Sequence, residues 1–140
     1  MKQDVWSHFS QGWGLAQLLL YLGAAVVVLH GLIHLLGFVA YWPMAGVASL
    51  PYKTTLLGGH WEVGLSGMRW FAVLWLVVAL GYVGAVGGLV GQWEWWRGTL
   101  LAVTLLSLAI TALDWANARV GALVDVVILA VLLLGPRVTE

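Results

Sequence analysis

The stretch 14–41, GLAQLLLYLGAAVVVLHGLIHLLGFVAY, contains no Asp, Glu, Lys or Arg. At 1.5 Å per residue a helix over it would be roughly 42 Å long, more than the ~30 Å hydrocarbon core of a bilayer. It reads as a spanning helix that tilts or projects from the membrane. The charge-free interval continues beyond it, from Asp4 to Lys53. The run is about twice the length of a signal-peptide core and ends without a small-residue cleavage site, so it is expected to be retained as an anchor.

Three further uncharged or nearly uncharged runs follow along the chain: 70–93 after Arg69, 98–113 after Arg97, and the shorter 120–136, which contains Asp125. The first two approach or reach the ~17–25 residues that a spanning helix needs. Only 93–97 separates the second and third helices, and only Asn117-Ala118-Arg119 the third and fourth, so each pair is expected to form an antiparallel hairpin. The predicted fold is all-α and integral to the membrane. It is a single domain over 1–140, an up-down four-helix transmembrane bundle with helices at about 14–41, 69–92, 96–116 and 120–136.

Residues 42–68 form the one long loop, because Pro43, Pro51, Gly46, Gly58, Gly59, Gly64 and Gly67 break any apolar period. Within it 52–56 and 60–63 flank Gly58-Gly59, which permits a short β-hairpin or an interfacial helix from His60 onward.

Composition agrees with a bilayer as solvent. The residues AVILMFWYC make up 62% of the chain and charged residues 9%, against roughly a quarter charged in soluble domains. Six basic residues balance six acidic ones, which leaves no basic surface for nucleic acid. The absence of cysteine removes thiolate metal sites, disulfides and cysteine nucleophiles. Trp13, Trp42, Trp93, Trp95 and Trp96 fall near predicted helix ends, where indole rings favour the headgroup level. Orientation stays undecided: Lys2, Arg97 and Arg137 on the terminal side balance Lys53, Arg69 and Arg119 on the loop side.

Threading the spans brings His30, His34, His60, Glu62, Arg69, Asp114, Asn117, Arg119 and Asp125 to the long-loop face. Ionisable groups at membrane depth are costly and turn inward to pair. Gly23, Val27, His30, His34, Gly37 and Tyr41 recur at helical spacing on the first helix, and Thr104, Ser107, Thr111 and Asp114 on the third, so these stripes are expected to meet. On the second helix Gly84 with Gly88, and Gly87 with Gly91, have the spacing of close helix packing.

His30 and His34 lie one turn apart and can face one ion, with His60, Glu62, Asp114 or Asp125 as a further ligand. The alternative is that each imidazole hydrogen-bonds within the bundle, or handles a proton or ligand. Bis-histidine haem is disfavoured, because two His on one helix cannot occupy opposite axial positions. Asp114 and Asp125 need charge partners or must be protonated; Arg69 and Arg119 are the available cations, and Arg69 is expected to pair with one of the two carboxylates.

The segments HGLIHLLGF (30–38), PYKTTLLGG (51–59) and Gly64 to Arg69 leading to Trp75 resemble a group of bacterial four-span membrane proteins. Most of that group are uncharacterised and some carry transporter-permease labels. The resemblance implies the same topology, a multi-pass place in a bacterial cytoplasmic membrane, and attention to His30, His34 and Arg69. It implies no activity, and the chain has no P-loop with which to drive transport by ATP hydrolysis.

Three readings follow. The first is a transport-type protein that binds a proton, metal ion or small ligand through His30, His34, Asp114, Asp125, Arg69 and Asn117. The second is a non-catalytic subunit of a homo-oligomer or larger membrane complex. The third, a membrane metalloenzyme, has the least support, because no nucleophile–base pair is evident.

Overall fold

A computed structural model describes residues 4–135. Lys2, Arg137, Pro136 and the side chain of Trp13 lie outside the described residues. The chain forms α1 (Asp4–Tyr41), a hairpin of β1 (Thr55–Leu56) and β2 (Trp61–Glu62), then α2 (Gly64–Val90), α3 (Trp96–Leu113) and α4 (Trp115–Leu134). All four helices are long and apolar enough to cross a membrane. The predicted bundle with its hairpin is therefore what the chain adopts. Large apolar side chains cover its outside, among them Leu18, Leu22, Leu29 and Ile33 on α1 and Leu123, Val127 and Val131 on α4. A surface of this kind suits contact with lipid and is foreign to water-soluble monomers.

Helix boundaries differ from the predicted ones in four places. α1 begins at Asp4 and not near residue 14, while its membrane-competent part is Gln17–Tyr41; hydropathy marks where lipid is tolerated, and backbone hydrogen bonding can continue past it. α2 begins five residues early, at Gly64, whose φ of 66° makes the sharp entry from the hairpin. At its other end Gln92 takes a left-handed φ of 55°, with Trp93 N–H donating to the Gly88 carbonyl at 2.9 Å and Gln92 N–H to that of Leu89 at 3.2 Å. This is a Schellman stop, which normally recruits glycine or asparagine.

The largest difference is between α3 and α4. Asn117-Ala118-Arg119 is not the connection but part of the first turns of α4, and the break is Asp114 alone. The Asp114 carbonyl accepts the N–H groups of Asn117 and Ala118, each at 2.9 Å. The new helix is thus satisfied at once, and no loop is needed.

Helices pack in sequence order, α1 on α2, α2 on α3 and α3 on α4, while α1 and α4 approach each other less closely. Close approach of α1 to α2 depends on missing side chains: a Cβ on Gly31 would lie 2.7 Å from the Tyr82 Cβ, and one on Gly37 would overlap the Trp75 indole. The expected glycine contacts on α2 are only partly used inside the molecule. Gly88 packs on Trp95 and Trp96 and Gly91 on Trp93, whereas Gly84 and Gly87 face outward with nothing within 4 Å.

Thr55 pairs with Glu62 and Leu56 with Trp61 across the hairpin, and the Leu57–Gly59 turn between the strands lies near α4. Buried Leu50 and Leu56 tie the long loop to the core. The loop and the α3–α4 break consequently share one end of the bundle. Since the chain has no cysteine, single cysteines report topology directly. Ala48→Cys and Ala116→Cys are expected to react with an impermeant maleimide from one side of sealed vesicles, and Glu94→Cys from the other. Reaction of Ala48→Cys and Ala116→Cys from opposite sides would contradict the four-span bundle.

Candidate functional site

The polar residues separate into two groups at different depths. The deeper one is centred on Asp125, which is fully buried on α4. Its Oδ1 accepts the Tyr82 hydroxyl from α2 and meets His30 Nε2 from α1, both at 2.8 Å. Its Oδ2 lies 2.8 Å from Ser107 Oγ on α3, with Thr111 Oγ1 farther away at 3.4 Å. Ser107 Oγ is also 2.8 Å from His34 Nε2, and His34 Nδ1 is 2.9 Å from the His30 carbonyl. One buried network therefore links all four helices. His30 and His34 meet edge to face, with ring centroids 4.8 Å apart.

The second group lies at the long-loop end, eleven residues before Asp125 in sequence, or roughly 16 Å along a helix. The Asp114 carboxylate, itself buried, accepts the Tyr41 hydroxyl and the Lys53 ammonium in short contacts, and Asn117 Nδ2 at 3.0 Å. Lys53 keeps a side-chain exposure of 21%, so its stem crosses the boundary while its head reaches the carboxylate. This arrangement fastens the loop to the α3–α4 break.

Arg69 does not make the expected pair with Asp114 or Asp125. Arg69 is exposed at the start of α2 and lies over the Trp42 ring at 5.9 Å, while Asp114 takes Lys53 and Asp125 takes His30. Because α2 begins well before Arg69, the guanidinium sits on an outer face of the helix and can settle on an interfacial indole. Arg119 is likewise exposed.

The suggested ligand set His30, His34 and His60 is not brought together. His60 is exposed at the hairpin, both ring nitrogens of His34 are engaged in hydrogen bonds, and among the described residues no three His, Asp or Glu side chains are placed to hold a metal ion. Glu62 accepts the Gly64 N–H at 3.0 Å and remains at the surface. The other candidates divide between the groups: His30, His34 and Asp125 in the deep network, Asp114 and Asn117 in the loop-end cluster.

Residues absent from the sequence-derived site are Tyr82, Ser107, Thr111, Tyr41, Lys53 and Trp75. Ser107 and Thr111 were visible on the polar stripe of α3. Tyr82 carried no signal, since an aromatic in an apolar helix is ordinary core material, and Trp75 entered only as part of the pattern that carries the resemblance. Beside the network, between α1 and α4, a cavity of about 190 Å³ is bordered by His30, His34, Trp75 and Gly121. Trp75 is buried, and its Nε1–H has no acceptor among the described residues; a buried unmet donor costs about 1–3 kcal/mol.

Counting protons shows what the deep network requires. The contacts His30–Asp125, Tyr82–Asp125, Ser107–Asp125, Ser107–His34 and His34–carbonyl number five, all at 2.8–2.9 Å. Each needs one hydrogen. With both imidazoles neutral and Asp125 ionised, His30, His34, Tyr82 and Ser107 supply one each, or four in all. The His30 carbonyl can only accept, so His34 carries its hydrogen on Nδ1 and turns a lone pair toward Ser107. The single Ser107 hydrogen cannot serve both His34 and Asp125. One further proton completes every contact and also makes the network electrically neutral, the state least costly to hold in a bilayer.

No protein-family model, curated protein or solved structure matches this chain.

Proposed function

We propose that this multi-pass membrane protein is a transport-type protein that binds and passes a proton through His34, Ser107 and Asp125. The observation that carries the reading is that Ser107 Oγ lies 2.8 Å from both His34 Nε2 and Asp125 Oδ2, two contacts that its single hydrogen cannot serve at once. The added proton has two resting places. On His34 Nε2 it donates to Ser107, which donates to Asp125; on Asp125 Oδ2 it donates to Ser107, which donates to His34. Moving between these patterns shifts two hydrogens along Nε2···Oγ···Oδ2 without moving a heavy atom. Ser107 is thus the relay, Asp125 and His34 the two stations, and His30 and Tyr82 hold the Asp125 carboxylate in place. The resemblance to bacterial four-span membrane proteins bears on the topology and on a bacterial cytoplasmic membrane as the expected location, and not on the activity.

A second reading rests on the same network. Its contacts join α1, α2, α3 and α4, as expected if the residues only lock a scaffold subunit of a larger membrane assembly. Asp125→Asn separates the two. An asparagine oxygen accepts from His30 and Tyr82 while its amide donates to Ser107, so the bundle keeps its bonds but has no carboxyl to exchange a proton. In proteoliposomes given an external acid pulse, the wild type is expected to acidify the lumen faster than protein-free vesicles. Asp125→Asn and Ser107→Ala are expected to fall to the vesicle background while remaining folded. A wild-type rate at background would overturn the transport reading and leave the scaffold.

A further inference from the structure

We propose that the cavity between α1 and α4 is a water-filled passage open at the long-loop face, and that protons enter the deep network from it through His30. This entrance rests on the proton reading above and supplies it with a path to the aqueous phase. The cavity reaches from one polar group to the other. Ser49 and Asn117, both exposed at the loop end, border it, and so do His30 and His34, which are buried at 5% and 1% exposure. Its volume of about 190 Å³ gives room to several waters, each of which takes ~30 Å³ in the liquid. The walls between the two ends are mostly apolar, so water there bonds along its own file and to the polar groups at either end. No Asp, Glu, Lys or Arg borders the space. A metal ion would therefore meet no counter-charge, whereas a proton crosses by exchange along the file.

His30 is the group that meets this water. Asp125, Ser107 and Tyr82 do not border the cavity, and both ring nitrogens of His34 are already engaged. His30 Nε2 is on Asp125, while its Nδ1 has no hydrogen-bond partner among the described residues. Nor is Nδ1 sealed off, since the one sealed side-chain nitrogen or oxygen without a partner there is Trp75 Nε1. Cε1, which is bonded to Nδ1, faces Gly121 on the cavity wall: a Cβ on that glycine would stand 3.9 Å from it. With its hydrogen on Nε2, the imidazole turns the Nδ1 lone pair to this side. Asp125 from α4, Tyr82 from α2 and His34 on α1 surround the ring, and α3 adds only the hydroxyls of Ser107 and Thr111 to the network. While His34 is neutral, none of them repels an arriving proton.

A proton arriving on Nδ1 leaves its water, whose O–H bond breaks, and makes His30 an imidazolium. Where Asp125 already carries a proton on Oδ2, three hydrogens then shift together: from His30 Nε2 to Asp125 Oδ1, from Oδ2 to Ser107 Oγ, and from Oγ to His34 Nε2. Afterwards each of the five contacts still holds one hydrogen. The positive charge has passed from His30 to His34 along atoms 2.8 Å apart, and no heavy atom has moved. His30 thus carries a proton as well as holding the carboxylate.

The test uses single cysteines in the full-length protein in proteoliposomes, since the chain has none. Val124 borders the cavity, and its neighbour Leu123 is exposed to lipid at the same depth. Thiols react as thiolates, which form in water and are suppressed in apolar surroundings. Hydroxyethyl methanethiosulfonate, a neutral water-soluble reagent, is expected to modify Val124→Cys and to spare Leu123→Cys, as read by mass spectrometry. Adding Ser49→Trp at the mouth is expected to abolish the reaction of Val124→Cys. His30→Gln keeps a hydrogen for Asp125 but has no basic nitrogen, so it is expected to stay folded and lose proton flux. A residue that only held the carboxylate would be replaced in this way without loss. An unreactive Val124→Cys, an equal reaction of Leu123→Cys, a reaction undiminished by Ser49→Trp, or full flux in His30→Gln overturns the proposal. Normal wild-type flux beside an unreactive Val124→Cys removes this entrance alone, whereas wild-type flux at background removes the proton reading and the role of His30 with it.

Discussion

Asp125→Leu is expected to lower stability by on the order of 3–5 kcal/mol, whereas Asp125→Asn stays within about 1 kcal/mol of the wild type. Leucine fills the space but accepts nothing, so His30 Nε2, the Tyr82 hydroxyl and Ser107 Oγ, all within 2.8 Å of the carboxylate, lose their partner at once. Each unmet buried group costs about 1–3 kcal/mol, partly recovered by relaxation. Asparagine reproduces the hydrogen count of the proton-loaded network: its oxygen accepts two hydrogens and its amide donates one to Ser107, which is then free to donate to His34. Thermal unfolding in detergent, followed by circular dichroism, measures both variants. If Asp125→Asn were as damaging as Asp125→Leu, the network would require an ionised carboxylate and the proton count would be wrong.

The second large effect is expected at the loop end. Lys53→Leu leaves the Asp114 carboxylate, which is fully buried at 0% side-chain exposure, without its cation, and breaking such a pair costs roughly 3–5 kcal/mol. Tyr41 and Asn117 still donate to it, which puts the value toward the lower end. Adding Asp114→Asn to Lys53→Leu should restore most of the loss, because the amide no longer carries a charge to be compensated. Arg69→Leu provides the control. An exposed guanidinium over one indole contributes about 0.5–1 kcal/mol, so that variant should be nearly silent. A loss for Arg69→Leu as large as for Lys53→Leu, with no recovery in the double variant, would reverse the assignment of the Asp114 partner.

Much of the architecture was legible because lipid imposes a simple rule: long apolar runs must be helices, and polar side chains within them must turn inward. The run 14–41, the charge-free segments after Arg69 and Arg97, and Asp125 within the last run together specify four spans. The inward stripe on α3 was legible for the same reason, and His34 does meet Ser107 across the bundle. Helix ends were less legible. The start of α2 at Gly64 and the single-residue break at Asp114 depend on a positive φ in one case and on carbonyl bonds to Asn117 and Ala118 in the other, neither of which leaves a hydropathy signal.

By itself, then, the sequence determined the solvent, the number of crossings and the inward direction of His30, His34 and Asp125, since all of these follow from local periodicity and the cost of polarity in lipid, while it left the segment around Gly58-Gly59 open between a hairpin and an interfacial helix. Only the tertiary structure decided partners. Arg69 and Lys53 are both basic residues on the loop side, and no pattern distinguishes them; rotation of α2 sends one to Trp42, and the path of the loop brings the other to Asp114. Tyr82, an ordinary core aromatic by sequence, becomes a donor to Asp125 because Gly31 lets α1 and α2 close around it. The hydrogen count of the network and the unmatched Trp75 N–H are properties of atoms that meet across four helices, and no stretch of a single chain segment encodes them.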